Sequence, residues 1–195
     1  MIELDVQTGL QKEIETLESE VADKKQQLAE LRKKLPAQKI DKAYVFTSRE
    51  GKPVRFDDLF GDKNELILVH NMGKSCAYCT LWADGFNGIL RHLQNRAAFA
   101  VVSPNEWEAM RDFADGKGWN FNICSSRGTS FKKDMGFEGG KGNSLPGVSA
   151  FVKKDGEIFH TANAGFGPGD NYCMLVDLFD LLPGGVGDWM AKLSY

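Results

Sequence analysis

Glu65-Leu66-Ile67-Leu68-Val69-His70, followed six residues on by Cys76-Ala77-Tyr78-Cys79, is the stretch of this 195-residue chain that decides its fold. The first run is apolar without alternation, as expected of a central strand buried on both faces. From Cys79 to Leu93 the period changes: Leu81, Trp82, Phe86, Ile89, Leu90 and Leu93 recur at helical spacing. The cysteine pair therefore lies where a buried strand hands over to a helix. At a helix N-terminus the unpaired N–H groups and the dipole favour an anion. A thiolate at Cys76 gains from that field, and Lys74 adds positive charge nearby. Such settings bring cysteine pKa values from ~8.5 into a range of roughly 3.5–7.5. A fall to about 7 corresponds to about 2 kcal/mol in favour of the charged form. Cys76, nearer the loop, is placed to attack a disulfide; Cys79, almost one turn further in, is placed to resolve the mixed disulfide.

Two other uses of a CxxC pair compete with this one. A tetrahedral zinc site needs a second pair of ligands, but Cys124 and Cys173 stand alone with no histidine within a few residues. Haem attachment needs a histidine where Thr80 stands. Inert thiols on a reused fold remain the third possibility. The residues favour a redox dithiol, which itself implies no cofactor and no metal.

Around this centre the chain alternates. Tyr44 to Thr47 is a short strand, and Asp57-Asp58-Leu59-Phe60 a helical turn. Ala98 to Val102 is a second buried strand. Ser103-Pro104-Asn105-Glu106 has the form of a helix start, with Ser103 as cap and Pro104 at the first position. Trp107, Met110 and Phe113 carry that helix's apolar face. Phe121 to Cys124 is a third strand, and residues 125–147 form a loop with a short helical turn near Phe131 to Met135. Val148 to Val152 and Glu157 to Thr161 flank Lys154-Asp155-Gly156, a hairpin signal. Tyr172 to Leu182 is a last helix, with Met174, Leu175, Leu178 and Leu182 inward. The predicted fold class is α/β, a central mixed sheet flanked by helices over residues 39–195.

Residues 1–38 form a separate amphipathic segment. Between residues 8 and 35, Leu10, Ile14, Leu17, Val21, Leu28, Leu31 and Leu35 follow alternating steps of four and three, with Lys24 in the one non-apolar seam position. Acids crowd the front half and bases the end, which suits the helix dipole, and Pro36 stops the pattern. Either a coiled-coil arm giving a homodimer or an amphipathic helix docked on its own domain follows. Composition is that of an ordinary globular protein, 42% apolar and 26% charged. A net charge of −3 excludes the broad basic footprint of a nucleic-acid binder. The polar N-terminus lacks the form of a signal peptide. No apolar run approaches the ~20 residues of a membrane span, so the expected location is the cytoplasm, where thiols are kept reduced.

The run from Leu66 to Cys79, with its strand–helix context and the later hairpin, resembles the thioredoxin superfamily. Cys76-Ala77-Tyr78-Cys79-Thr80-Leu81-Trp82-Ala83-Asp84-Gly85-Phe86-Asn87-Gly88 is similar to a bacterial thioredoxin-like family, domain of unknown function 899. Gly118-Trp119, Ser125-Ser126, Pro146-Gly147-Val148-Ser149 and Phe159-His160-Thr161 extend the match in the right order. The resemblance implies a thioredoxin-like sheet with a cis proline beside the dithiol, for which Pro146 is the match. Where thioredoxins carry a buried acid, six residues before the first cysteine, this chain has His70, either a proton acceptor for Cys79 or a hydrogen-bonded core residue. Ser75 replaces the tryptophan that precedes the thioredoxin dithiol. The Pro, Thr/Ser, Cys spacing of peroxiredoxins fails at Met72 and Cys76, and again at Val69 and Gly73.

The expected function is thiol–disulfide exchange with Cys76, Cys79, Pro146 and His70 at the site, acting on a protein or small-molecule disulfide or thiol. The alternative is a non-catalytic thioredoxin-fold interaction module. Trp82 and Phe86 are read as packing residues, Asp84 and Asn87 as a polar rim or a solvated face, and His160, Cys124 and Cys173 as structural. Gly165 to Gly169 lacks the lysine of a phosphate loop.

Overall fold

A computed structural model describes the backbone of residues 2–195 and the side chains of residues 7–195. The chain forms two compact units, one reaching Ala37 and one spanning Gln38–Tyr195. The first is a single helix, α1 (Ile2–Lys33), which ends as Lys34 and Leu35 donate to the carbonyls of Leu31 and Arg32 before Pro36. Its seam residues Leu10, Ile14, Leu17, Val21, Leu28, Leu31 and Leu35 are all exposed, at 39–61%. Among the described residues no helix is long and apolar enough to cross a membrane.

The second unit is built on one eight-stranded sheet. Its strands are β1 (Gln38–Lys39), β2 (Val45–Thr47), β3 (Pro53–Arg55), β4 (Glu65–His70), β5 (Ala98–Ser103), β6 (Asn122–Ser125), β7 (Gly147–Lys154) and β8 (Glu157–Gly165), in the order β1-β8-β7-β4-β5-β6-β2-β3. The central strands β4, β5 and β6 run parallel, and β7 lies antiparallel to β4 with Gly147 opposite His70. The helices are α2 (Ala77–Gly88), α3 (Leu90–Arg96), α4 (Trp107–Lys117), α5 (Phe131–Asp134) and α6 (Met174–Phe179).

Both faces of β4 and β5 are covered, which is why their sequences are apolar without alternation. Leu66 and Leu68, with Ala100 and Val102, face an aromatic layer of Tyr44, Phe46, Phe56, Phe60, Phe131 and Phe151. Val69, Phe99 and Val101 face the opposite layer, where Ala83, Leu90 and Met110 bring in the helices and Trp119 the turn after α4. The sheet thus separates two cores, and the period of two within each strand sorts side chains between them.

Four expectations are corrected. The helix after the dithiol is two helices broken at Ile89, because Gly85 and Gly88 weaken the turn before it and Ile89 is exposed while Leu90 is buried. Ser103 does not cap a helix: it pairs with Ser125 as the last residue of β5, and α4 starts four residues later at Trp107. The last helix spans only Met174–Phe179, with Met174, Leu178 and Leu182 exposed rather than inward. Its start is delayed because Asp170 accepts the backbone N–H of Gly167 and Tyr172, holding 167–172 as a turn. Two strands, β1 and β3, were not expected, being short polar strands at the two edges of the sheet.

Phe131 is fully buried and packs on Tyr44, Phe46 and Phe56 with ring centroids 4.9, 5.0 and 5.2 Å away. Phe131→Ala is expected to cost about 3–5 kcal/mol. Urea unfolding should show this as a lower midpoint with an unchanged slope.

Candidate active site

Cys76 is the N-cap of α2, with extended backbone (φ −90°, ψ 104°), and its sulfur accepts the N–H of Cys79 at 3.1 Å. Its carbonyl takes both the N–H and the hydroxyl of Thr80, at 3.0 and 3.1 Å. The loop leading to it is braced from two sides. Asn71 donates to Val102 O, and its own side chain accepts Gly73 N–H at 2.6 Å. The side chain of Asn105, on the neighbouring loop, accepts Lys74 N–H at 2.9 Å. Gly73 is required here: its φ is +117°, and a Cβ would lie 2.6 Å from Asn105 Oδ1.

All four cysteines are free thiols. Cys76 is half-buried; Cys79 is 4% exposed. The Cys79 thiol donates to the Cys76 sulfur, and this bond is the largest cause bringing the Cys76 pKa down to about 6. The N–H groups of Cys79 and Tyr78 and the charge of Lys132 act the same way, while burial opposes them. Cys79 is pushed far above the ordinary thiol range, first because its proton is held against Cys76 and second by burial. The pair is therefore split into a thiolate and a protonated partner.

The cation beside both sulfurs is Lys132 rather than the predicted Lys74, which is exposed. Lys132 on α5 is buried, and its Nζ donates to Asn71 O at 2.7 Å. Burial lowers its pKa to about 8 against the raising influence of Cys79, Glu138 and Cys76. Sequence reasoning missed it: Lys132 and Lys133 are adjacent, and only the phase of the short helix tells which one turns inward.

His70 is fully buried, with Nε2 2.9 Å from Ser149 Oγ and its ring stacked on Phe137 at 4.0 Å and Phe131 at 5.6 Å. Burial, then the Lys132 charge, hold its pKa well below the ordinary range, so the imidazole is neutral. Pro146 precedes β7, at the sheet end where Gly147 pairs with His70, and its carbonyl accepts Phe166 N–H at 3.0 Å. Its peptide bond is trans, not the cis bond that the resemblance implied.

Beside the pair runs a chain of rings. Tyr78 meets Trp82, Trp82 meets Phe166 at 5.1 Å, and Phe166 meets Tyr172 at 5.0 Å. Trp82 is buried and packs as expected. Asp84 and Asn87 form no rim: Asp84 accepts Trp119 Nε1–H at 2.7 Å, and Asn87 bonds Gly118 O and Asn120 N–H. They clip α2 to the turn after α4. His160 packs on Phe151, and burial raises the Cys124 pKa to about 12. Among the described residues no group of three or more His, Cys, Asp or Glu is placed to hold a metal.

A mixed sheet with a cysteine pair at the helix that follows a central strand is a thioredoxin-like fold. Solved structures share the fold: peroxidoxin BcpB from Mycobacterium tuberculosis (TM-score 0.56, 17% identity, 67% of this chain and 85% of that one). A peroxiredoxin-like protein from Aquifex aeolicus gives 0.53 at 15% identity, covering 67% and 75%. An uncharacterised conserved protein from Geobacillus kaustophilus gives 0.54 at 12%, covering 70% and 74%. The chain belongs to the family described as bacterial protein of unknown function (DUF899), whose profile matches residues 8–193. Among curated proteins none matches it.

Alkylation of Cys76 by iodoacetamide should rise with pH through a midpoint near 6 and then level off, read by mass on the Cys76 peptide. The sign for stability follows from a thiol whose pKa is lower folded than unfolded. Its contribution is complete above about pH 8.5 and is lost as pH falls through the folded value.

Proposed function

We propose that the protein is a thiol–disulfide oxidoreductase in which Cys76 attacks and Cys79 resolves. The observation that carries this is the asymmetry of the pair: a half-buried sulfur at a helix N-terminus with its pKa near 6, and a buried protonated sulfur three residues on. In the first step the Cys76 thiolate attacks a protein or small-molecule disulfide. A Cys76–substrate disulfide forms, and one substrate sulfur leaves as a thiolate.

That step changes Cys79. While Cys76 is anionic, its hydrogen bond and its charge are two of the three causes that hold the proton on Cys79; the third is burial. Once Cys76 is capped, both are removed. Burial is then opposed by the Met72 N–H and the Lys132 charge, which favour the Cys79 thiolate. Cys79 gives up its proton to the solvent or to the neutral fraction of Lys132. It then attacks Cys76 and releases the second substrate thiolate. The substrate gains two electrons and the protein ends with a Cys76–Cys79 disulfide. Proton handling is assigned to Lys132; His70, bonded to Ser149 and stacked between two phenylalanines, orders the core beneath. Pro146 and the rings of Tyr78 and Phe166 border the surface offered to the substrate. The cytoplasm, whose thiol pool would return the pair to the dithiol, is the compartment this reading fits.

Titration of the protein in glutathione buffers, with alkylation followed by mass, should give a reversible two-electron transition confined to Cys76 and Cys79. Cys76→Ser should abolish disulfide reduction, and Cys79→Ser should accumulate the mixed disulfide. A pair that never closes would overturn the proposal. Retained partner binding without exchange would instead identify an interaction module.

Lys132→Met separates the two half-reactions. The attack step should change less than the resolving step, which is expected to slow about tenfold, equivalent to ~1.4 kcal/mol. Rapid quench followed by mass of the mixed disulfide measures both rates.

A further inference from the structure

Helix α1 carries a large apolar stripe that lies in water. Six branched aliphatic side chains from Leu10 to Leu31 are each at least 39% exposed. Their spacing is that of a coiled-coil seam, in which each knob needs a hole supplied by a second helix. We propose that α1 pairs with α1 of a second copy of this chain, and that the two helices run antiparallel.

The occupant follows from self-complementarity and the orientation from charge. Ile14, Val21, Leu28 and Leu35 hold one seam position; Leu10, Leu17, Lys24 and Leu31 hold the other. If two copies run parallel and in register, Lys24 meets Lys24 of the second copy inside the seam. Glu13 then flanks Glu18 of the second copy, a like-charge contact made twice by symmetry that offsets the attraction of Glu20 to Lys25 in the same register.

Antiparallel pairing removes both conflicts. Ile14 meets Leu31, Leu17 meets Leu28, and Val21 meets Lys24 of the second copy. The two lysines then lie in different layers, where each stem packs on a valine and each ammonium reaches water. The flanking position becomes Glu18 with Lys25, a pair formed twice, with no like-charge contact among Gln11, Glu20, Gln27 and Arg32. Exposed ion pairs stabilise weakly. Here they choose between two arrangements of one apolar seam, as flanking charges do in coiled coils. The front-acidic, rear-basic order of the helix produces this choice.

The test uses the full chain. Light scattering should give twice the 21.6 kDa chain mass, dissociating on dilution. Leu17→Glu, on an exposed position, should return the mass to one chain with unchanged helical circular dichroism. Lys24→Leu should tighten the dimer by about tenfold or more. Orientation is read by electron–electron distance between spin labels at Lys12→Cys, in a background with Cys76 and Cys173 changed to serine. Antiparallel helices place the two labels about 30 Å or more apart; parallel helices bring them within roughly 20 Å. Labels at Asp23→Cys, near the midpoint, should be close. A single-chain mass at every concentration, a higher oligomer, or a short Lys12→Cys distance would each overturn the proposal.

Discussion

One backbone donor, the N–H of Cys79 reaching the sulfur of Cys76 at 3.1 Å, organises the site. It exists only while Cys76 stays at the cap of α2, and the cap is held from outside the helix. Asn71 continues β4 by donating to Val102, Gly73 turns with φ +117° against Asn105, and Ser125 donates its hydroxyl to Asn105 O at 2.6 Å. The ends of three parallel strands therefore fix one sulfur. A loop free to slide by a residue would leave that sulfur without this donor, one of the groups that bring its pKa down.

The same brace explains a costly residue. A buried ammonium is tolerated only where hydrogen bonds and negative charge offset its lost hydration. Lys132 has the carbonyl of Asn71 at 2.7 Å and, by its electrostatic coupling, both sulfurs and Glu138. Phe131, the residue before it, is fully buried among the aromatic side chains of that core. The helix α5 is a single turn, so the anchoring of Phe131 also fixes the direction of Lys132. Packing on one side of the sheet thus sets the charge available on the other side of the loop.

Sequence made visible the features that repeat or that permit few solutions. β4 and β5 are continuous apolar runs because both faces are covered, and the cysteine pair marks the helix start between them. The hairpin was legible because Asp155 and Gly156 both take positive φ, at 53° and 79°, as a tight turn between twisted strands demands. What stayed hidden depends on partners distant in sequence. Nothing local distinguishes Lys132 from Lys133, or marks Asn71 and Asn105 as braces. Ser103-Pro104-Asn105-Glu106 satisfies every local rule for a helix start, yet strand pairing with Ser125 and the bond to Lys74 hold it open. Asp84 and Asn87 look like a polar rim until the turn at Gly118 to Asn120 arrives to use them.

His70 and Lys132 respond differently to burial beside the same strand end. Both are buried near one end of β4, and each would disfavour a second positive charge beside it. The ammonium wins the contest because its ordinary pKa starts about four units higher, so even after burial it is largely protonated at neutral pH while the imidazole is not. The neutral ring is then free to accept the geometry of an aromatic residue, stacked 4.0 Å from Phe137 and 5.6 Å from Phe131 with one nitrogen against Ser149. Its Nδ1 has no hydrogen-bond partner among the described residues, a cost a charged ring could not bear in that layer. This chain has a neutral ring at that strand position and a positive charge on α5, and that charge favours the thiolate form of Cys76.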